Sequence, residues 1–533
     1  MVTPSRPFSR LASTVAIATI LVSVGIIYVL LAKPSIPDYP FGCDPYGYAR
    51  QQELFRDKGF VNGLDTRAQD EEVLFLIKTA RAAGLTPDQF GEMIAPHCHH
   101  YEEGSDSVIL QYPPGTGFLL SLLPEDREVE ALALLSLAVV LAVFGIFAVR
   151  SLPAFVSTAA VIGGLVVVAM PLANSTLMVS ASFAPTLGFI TLATALLLYG
   201  THRPDRPSWW TGALLGLLAA FLMNLRIANA FVVIGMAVFI VIAIGSLSPK
   251  RLARQLPFLL SGVVVFAIGL LPLLTANKIN AGGIFESTYG VADSAPARFE
   301  TALFLRNLRF YFFDTPATPV TWGALAALLL VLVAAVFAPS PQSRRRCWAA
   351  FLGGAAAYGI SIVFFGTHEI AATPYLIPTS AFCVGLCVFV VAETTGVEGL
   401  RLRAAGAVVT VVAVLAAGQV LMLPRHSYRV EAPAEVLAPE AIVWADMTSG
   451  TLRYYRQKYA AKVIFTGECE QSTLINAVSE AGRPQFFVVD SDAMQRLVDR
   501  IVGDGRLSAA GTLHAREDRP IFRLEPGIAV PGC

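Results

Sequence analysis

An acidic residue followed by aromatic residues opens the first long polar segment of the sequence. Asp44 precedes Pro45 and is followed four positions later by Tyr48, and Tyr112 stands near the end of the same segment. Such a carboxylate can accept a proton from a hydroxyl group, while the aromatic rings can hold a sugar ring or lie at membrane headgroups. Asp44 and Pro45 also fit a helix N-terminus, as the N-cap and the first helical residue. The local pattern leaves both interpretations open.

Three arginines are suited to binding phosphate. Arg226 lies between two apolar runs, where an ionisable side chain is costly unless it has a function or a partner. Its planar guanidinium matches the oxygens of a phosphate group. Arg306 and Arg309 are spaced three apart, on one face of a short interfacial helix. The alternative for each is a lipid headgroup, reached by snorkelling from Arg226 or bound by interfacial anchoring at the pair.

Two clusters contain metal-ligating residue types. His368 and Glu369 are adjacent and could hold a divalent cation, with a polar turn between two helices as the alternative. Positions 97–100 are His-Cys-His-His and precede Glu102 and Glu103. Such tight spacing lets few of these side chains reach one ion, so a solvated loop is expected there. No cofactor is predicted to be required, and a divalent metal stays a candidate.

The composition indicates the solvent in which these residues must be positioned. Of 533 residues, 55% are hydrophobic and 15% are charged, against roughly 45–50% and about 25% in soluble domains. Lys plus Arg equals Asp plus Glu at 39 each, so the charge balance gives no support for nucleic-acid binding. The apolar excess predicts a polytopic α-helical membrane protein.

Long apolar runs mark the predicted membrane spans. The runs are continuous and not alternating, which favours helices, because a helix pairs its backbone polar groups within the segment. About eleven spans are expected, at 11–32, 130–149, 153–170, 181–200, 211–225, 229–246, 256–275, 319–338, 348–365, 374–392 and 404–424. The pair 211–225 and 229–246 could instead be one long broken helix. The first run is interpreted as a membrane anchor, since its apolar stretch is longer than that of a typical signal peptide.

The distribution of basic residues predicts the orientation. Short loops rich in Lys and Arg stay in the cytoplasm. Such loops alternate along the chain with loops near 171–180 and 366–373 that have neither residue. A multi-pass protein of the plasma (inner) membrane follows, with a cytoplasmic N-terminus. The outer side receives residues 33–128, residues 276–318 and everything after about residue 425.

Two domains are predicted. Residues 1–424 form a transmembrane domain that includes the first outer loop, and residues 425–533 form a small extracytoplasmic α/β domain. In the latter, strands are expected at 441–444, 462–465, 485–490 and 520–524, with helices at 452–458, 472–481 and 493–502. This alternation predicts a partly parallel sheet. The tail has no glycine-rich phosphate-binding motif, so a nucleotide site is not expected there.

Four of the seven cysteines lie in predicted outer segments. Cys43 and Cys98 share the first outer loop, and Cys469 and Cys533 share the tail. In an oxidising compartment each pair is a disulfide candidate. The alternative is four unpaired thiols.

Several motifs resemble those of a known family. Asp44-Pro-Tyr-Gly-Tyr48-Ala is similar to an acidic D-E-x-x-Y-A motif, with Pro in place of Glu, and stands at the start of a large first outer loop. The proline-rich turn 111–115, the segment 280–290 and the segment 368–378 are familiar from the same proteins. The family that these motifs resemble is the polyprenyl-phosphate-sugar-dependent glycosyltransferases of the GT-C superfamily, which include the protein O-mannosyltransferases and the aminoarabinose transferases.

The resemblance implies a membrane glycosyltransferase that moves a sugar from a polyprenyl-phosphate carrier to an acceptor hydroxyl on the outer face of the membrane. Asp44 would be the general base. The donor phosphate would be bound by Arg226, with Arg306 and Arg309 as a second candidate pair. Tyr48, Tyr112 and Tyr289 would line the sugar and acceptor pocket. Expected partners are the donor, membrane lipids and a lipid, polysaccharide or protein acceptor, with no nucleic acid.

Two other function classes stay open. A ligase or polymerase that uses a diphosphate-linked glycan would share the many-helix architecture, but favours a large outer loop late in the chain. A transporter would place ionisable residues near the bilayer midplane, in two related halves. In this sequence the carboxylates lie almost wholly in predicted loops and in the tail, which favours glycosyl transfer.

Overall fold

The computed structural model describes most of the chain between residues 43 and 530. The described residues are 43–68, 71–95, 99–124, 128–151, 155–173, 181–202, 208–245, 249–288, 300–315, 317–338, 340–368, 375–395, 432–436, 438, 440–446, 460–461, 468–503, 505–514 and 518–530. The chain divides into two units. The helical unit contains Leu123–Leu271 and Ala295–Pro424, and the sheet unit contains Pro37–Leu122, Pro272–Ser294 and Arg425–Cys533.

The sheet unit begins with short helices and a hairpin. These elements are α1 (Cys43–Asn62), α2 (Glu71–Ala82), α3 (Pro87–Ile94), β1 (His99–Glu102), β2 (Ser107–Leu110) and α4 (Pro114–Ser121). Helix α1 is interrupted at Gly59, whose φ of 73° is favoured by glycine. Helices α3 and α4 begin with proline, which lacks an N–H group that the first helical turn would leave unpaired.

A series of helices follows, most of them long and apolar. They are α5 (Glu128–Ser151), α6 (Phe155–Ala173), α7 (Phe183–His202), α8 (Trp209–Leu225), α9 (Ala230–Gly245), α10 (Pro249–Gly269), α11 (Leu271–Asn280), α12 (Thr301–Arg309), α13 (Thr318–Phe337), α14 (Pro341–Gly366) and α15 (Ile377–Thr395). Six helical stretches of the described residues are long and apolar enough to cross a membrane, as expected of a multi-pass membrane protein. The predicted spans from 130–149 to 374–392 fall on these helices. Those at 11–32 and 404–424 lie outside the described residues, so the total of eleven stays a prediction.

Glycines set the packing of α8 and α9, the pair that could have been one broken helix. The two helices are joined by a short 3₁₀ turn, Ile227–Asn229, and pack against different neighbours. Gly212 and Gly216 of α8 lie so close to α10 that a Cβ atom on either would be 2.1 Å from a backbone oxygen of α10. Gly235 of α9 meets Gly353 of α14 in the same way, at 2.7 Å. Small residues at this spacing let membrane helices approach closely.

The tail forms the predicted partly parallel sheet. Its elements are β3 (Ile442–Trp444), β4 (Ala460–Ala461), α16 (Glu468–Glu480), β5 (Gln485–Val488), α17 (Asp492–Val502), β6 (Leu507–His514) and β7 (Asp518–Leu524). The strand order is β4-β3-β5-β7-β6, with β3 parallel to β4 and β5, and β7 antiparallel to β5 and β6. Strand β6 was missed because it is a largely exposed edge strand without apolar alternation. The predicted helix at 452–458 and strand at 462–465 lie outside the described residues.

Parts of the first predicted outer loop share a core with this sheet. Leu76 of α2 and Phe90 of α3 are buried in one apolar cluster with Trp444 of β3 and Leu474 of α16. Arg483 adds a contact, with its guanidinium carbon 4.4 Å from the centroid of the Phe75 ring. These loop residues therefore group with the sheet unit. Apolar side chains on amphipathic helices such as α2 need a partner surface, and the sheet provides one.

Candidate functional site

The segment with the acidic motif is the start of α1. Asp44 is the second residue of this helix, and its side chain lies outside the described part of the structure. Tyr48, one turn later, is buried, and its ring centroid is 4.6 Å from that of Tyr112. The structure therefore brings together two of the three aromatic residues predicted for the sugar pocket. The third, Tyr289, lies outside the described residues.

Tyr112 is fixed from several sides. The amide of Gln111 donates a hydrogen bond to the Tyr112 hydroxyl at 2.9 Å, and the amide of Gln51 donates to the Tyr112 carbonyl at 3.2 Å. Gly47 leaves room for the ring, since a Cβ atom there would be 2.1 Å from Cε2 of Tyr112. Because Gln51 and Gly47 belong to α1, Tyr112 is held against the helix that begins beside Asp44.

A histidine and a threonine support this arrangement. The Nε2 atom of His100 is 2.7 Å from Oε1 of Gln111, and the hydroxyl of Thr288 donates to the Gln111 carbonyl at 2.7 Å. His99 is buried and His100 is half-buried, both in strand β1. The expected solvated loop at 97–100 is therefore wrong for these two residues, because pairing with β2 places them in a hairpin. His97 and Cys98 lie outside the described residues.

Asn280 joins the two predicted outer loops within the sheet unit. Its side-chain oxygen accepts from the backbone N–H of Thr66 at 2.9 Å, and its amide donates to the carbonyl of Leu64 at 2.8 Å. Asn280 is buried, so these backbone groups are paired without water. One side chain thereby fixes the end of α11 to the turn and loop after α1.

In the helical unit, Arg226 is a buried cation at the break between α8 and α9. It is 9% exposed, and its Nη1 atom donates to the hydroxyl of Ser182 at 3.2 Å. Its guanidinium carbon lies 4.3 Å from the ring centroid of Phe183 and 5.3 Å from that of Tyr375. Aromatic faces attract a cation, and a planar guanidinium matches the oxygens of a phosphate. The environment is suited to a desolvated phosphate.

Two asparagines hold the break in place. The amide of Asn224 donates to the carbonyls of Ala220 and Gly269, at 2.9 and 3.0 Å. The amide of Asn229 donates to the carbonyl of Leu222 at 2.8 Å and to the hydroxyl of Thr186 at 3.2 Å. Through Gly269 and Thr186, these bonds tie the residues around the break to α10 and to α7.

The second candidate pair of arginines is exposed. Arg306 and Arg309 lie on α12, and Nε of Arg309 is 3.2 Å from Oδ2 of Asp314. The side chains of Arg309 and Asp314 are 76% and 49% exposed. An ion pair this exposed is weak. Binding of the donor phosphate by this pair stays a prediction, as does anchoring at lipid headgroups.

Of the predicted metal-binding pair, the structure describes His368. His368 lies just after α14, and its Nδ1 atom is 2.7 Å from the carbonyl oxygen of Phe364. The imidazole ring of His368 also packs against the phenyl ring of Phe364. Glu369 lies outside the described residues. Among the residues that the structure describes, no group of three or more His, Cys, Asp or Glu side chains is arranged to hold a metal ion. The metal site stays a prediction.

Asn307 is a structural residue that the sequence did not suggest. It is fully buried, and its amide donates to the carbonyls of Phe365, Gly366 and His368, at 3.3, 3.1 and 2.6 Å. These carbonyls come at the C-terminus of α14, where a helix leaves acceptors unpaired.

Nearby, the buried hydroxyl of Tyr311 has no hydrogen-bond partner among the described residues. Burial and the neighbouring Tyr375 raise the pKa of Tyr311, so its hydroxyl stays protonated and can donate.

The cysteines whose side chains the structure describes are of two kinds. Cys347, Cys383 and Cys387 of the helical unit are free and buried. Cys469 of α16 is disulfide-bonded. Its pairing with Cys533, and that of Cys43 with Cys98, stay predictions, because these other three side chains lie outside the described part.

Two solved structures of ArnT from Cupriavidus metallidurans resemble this chain along nearly its whole length. The apo structure has a TM-score of 0.53 and 13% sequence identity, covering 98% of this chain and 100% of its own. The structure bound to undecaprenyl phosphate has a TM-score of 0.51 and 14% identity, covering 97% and 99%. The fold is similar to that of ArnT. The likeness concerns the fold, and it agrees with the fold that the sequence motifs implied.

Sequence comparison does not add to this likeness. No protein-family model matches the chain, and no curated protein matches it.

Sequence reasoning missed three polar residues of the site, Gln51, Gln111 and Asn307, because a single glutamine or asparagine carries no pattern. The only available signal was that Gln51 and Gln111 lie close to the motif residues Tyr48 and Tyr112.

Proposed function

We propose that the protein is an integral-membrane glycosyltransferase that uses a polyprenyl-phosphate sugar donor and an acceptor hydroxyl on the outer face of the membrane. In the transfer, the acceptor oxygen loses its proton to the base and attacks the anomeric carbon of the sugar. The bond from that carbon to the phosphate oxygen breaks, and the polyprenyl phosphate leaves. A single displacement of this kind inverts the configuration at the anomeric carbon.

Arg226 carries the proposal. It is a nine-tenths-buried guanidinium held by Ser182 and two aromatic rings, in a fold similar to that of ArnT, which has been solved with undecaprenyl phosphate bound. A permanent cation in such a setting would stabilise the negative charge that develops on the leaving phosphate. Charge stabilisation of this kind is most effective where water is excluded.

Asp44 is the proposed base. Its place at the start of α1 favours an ionised carboxylate, because the N-terminus of a helix carries partial positive charge. Tyr48 lies one turn after Asp44 on α1 and packs on Tyr112. The two rings would form an aromatic wall for a sugar ring. The sugar and the acceptor are not specified by these residues.

The decisive test replaces Asp44 by Asn. Asn keeps the size of Asp but cannot take a proton. We expect Asp44→Asn to fold and to bind the donor lipid, yet to lose transfer by at least about a hundredfold. The matched control is Asp57→Asn, an exposed carboxylate on the same helix, which should leave transfer unchanged. Full transfer by Asp44→Asn would remove it as the base.

The assay also separates the function classes. Purified protein in vesicles would be given membrane lipid extracts, and release of polyprenyl monophosphate would be measured by mass spectrometry. Release of a polyprenyl diphosphate instead would indicate a ligase or polymerase. Movement of a solute without any new glycosidic bond would indicate a transporter.

The proposed orientation has its own test. A phosphatase reporter fused after residue 425 should be active outside the cytoplasm, whereas one fused after Arg346 should be inactive. If both fusions were inactive outside the cytoplasm, the result would contradict transfer on the outer face.

A further inference from the structure

An open apolar groove lies between α12 and the start of α13. Its volume is about 650 Å³, and it is lined by Leu305, Leu308, Arg309, Phe312, Phe313, Asp314 and Trp322. A volume of this order is typical of small-molecule sites. Five of the lining side chains are apolar or aromatic, and the other two form the ion pair of Arg309 with Asp314.

The groove is held in shape by the backbone. Residues Phe310–Asp314 form a π-helical turn, which removes carbonyls from the regular helical ladder. The indole N–H of Trp322 donates to the carbonyl of Phe312 at 2.9 Å. Its ring also meets Phe312 and Phe313 at centroid distances of 5.7 and 6.0 Å. Asn307 fixes α12 to the end of α14, so both walls are anchored.

The groove lies at the end of a membrane span. Helix α13 is one of the candidate spans, and Trp322 is in its second turn. Trp322 is 46% exposed, and Phe313 is exposed beside it. Exposed aromatic side chains at the end of a membrane helix are typical of the interface between hydrocarbon and headgroups. Lipid is therefore the solvent that the open side of the groove meets.

The charges at the groove complement an anion. Arg309 is close to Asp314, but both side chains are largely exposed, so the pair is weak and Asp314 can be displaced. Arg306 lies three residues earlier on α12 and is exposed too. An apolar chain with an anionic head satisfies both parts of the site, with the chain in the groove and the head at Arg309.

We propose that this groove binds an acyl chain of an anionic membrane phospholipid, whose headgroup competes with Asp314 for Arg309. The bound lipid would fill an apolar surface that the protein leaves open. The proposal rests on residues of α12 and α13 and not on Arg226, so it does not depend on the proposed function.

Tryptophan quenching by brominated lipids tests the proposal. The protein would be placed in phosphatidylcholine vesicles in which a fixed fraction is dibrominated phosphatidylglycerol or dibrominated phosphatidylcholine. The contribution of Trp322 is the quenched fluorescence of the parent minus that of the Trp322→Phe variant. The matched control is Trp210→Phe, since Trp210 of α8 is also 46% exposed. We expect Trp322 to be quenched several times more strongly by the anionic lipid.

Two substitutions give opposite signs. Arg309→Gln should lower the preference of Trp322 for the anionic lipid by roughly fivefold, the usual worth of one cation near an anionic surface. Asp314→Asn should raise it, because the competitor of the headgroup is removed. Neither should change the quenching of Trp210. Asp314→Asn in the otherwise unchanged chain also gives a measurement that needs no tryptophan substitution.

Three results would overturn the proposal. Equal quenching of Trp322 by both brominated lipids would show that the groove has no preference for an anionic headgroup. A preference that Arg309→Gln does not lower and Asp314→Asn does not raise would show that it does not come from this ion pair. Displacement of brominated phosphatidylglycerol from Trp322 by a trace of polyprenyl phosphate would assign the groove to the donor instead.

Discussion

The ring of Tyr112 lies directly against Gly47, one turn after the N-terminus of α1. A Cβ atom on residue 47 would be 2.1 and 2.2 Å from two ring carbons of Tyr112. The ring cannot move freely, because Gln111 binds its hydroxyl and Gln51 binds its carbonyl. The glycine therefore sets how close Tyr112 can come to the helix that carries Asp44 and Tyr48.

Replacing Gly47 by Ala should displace Tyr112. Overpacking of this kind costs about 1–3 kcal/mol, so the melting temperature should fall and transfer should fall with it. The control is Gly163→Ala in α6, where nothing lies within 4 Å of the added Cβ atom. That substitution should leave the melting temperature unchanged or raise it, since Ala favours a helix. Equal melting temperatures for the two variants would contradict the contact.

The membrane helices could be predicted from sequence because each must satisfy its backbone and bury its side chains in lipid independently. Their continuous apolar runs follow from that requirement alone. The position of Arg226 was informative for the same reason, since a cation between apolar runs is costly. Such features need no knowledge of the rest of the fold.

Contacts between distant polar residues could not be predicted in this way. Asn280 binds the backbone of Thr66 across 214 residues, and Thr288 binds that of Gln111 across 177. A single amide or hydroxyl has no periodicity that would indicate its partner. His99 illustrates the resulting error: its neighbours in sequence are polar, but pairing of β1 with β2 buries it.

Tyr101 should titrate at unusually high pH. Burial, its 2.5 Å hydrogen bond to Asp106 and the charge of Asp106 raise its pKa to about 12, from an ordinary value of about 10. The folded protein thus holds this proton more tightly than the unfolded chain. The corresponding stabilisation is complete below about pH 10 and is lost as the pH rises toward 12.

Absorbance at 295 nm measures this directly. The spectrum of the parent minus that of Tyr101→Phe should show a phenolate appearing near pH 12. Asp106→Asn removes the negative charge beside the phenol, and should move this midpoint toward the ordinary value. A difference midpoint near 10 in the parent would mean that the contact is not formed in solution.

A buried ion pair should stabilise the helical unit against loss of either partner. Arg346 of α14 and Glu393 of α15 are 2.6 Å apart, and each side chain is 8% exposed. Glu393→Gln would leave a buried cation, at a cost of about 3–5 kcal/mol in the free energy of unfolding. The double variant Arg346→Met with Glu393→Leu should melt close to the parent, because both charges are gone.

The matched comparison is an exposed pair. Arg67 and Asp65 are 2.7 Å apart, with side chains 36% and 34% exposed. Arg67→Gln should cost less than about 1 kcal/mol. If Glu393→Gln melted no lower than Arg67→Gln, the pair would have no net effect on stability.

Arg226 gives the last prediction, because its cation is the part of the proposed site that a substitution removes most cleanly. If Arg226 binds the donor phosphate, Arg226→Gln should weaken polyprenyl-phosphate binding by about 1.5–3 kcal/mol, the worth of a charged hydrogen bond. Arg226→Lys should restore only part of this, since an ammonium group keeps the charge but not the planar, two-point contact. The matched control is Arg483→Gln, which also removes a guanidinium over an aromatic ring but in the sheet unit. Binding would be measured with purified protein in nanodiscs and labelled polyprenyl phosphate, with melting temperatures recorded to confirm folding. Unchanged affinity in a folded Arg226→Gln protein would return this residue to a snorkelling role and remove the observation on which the proposed function depends.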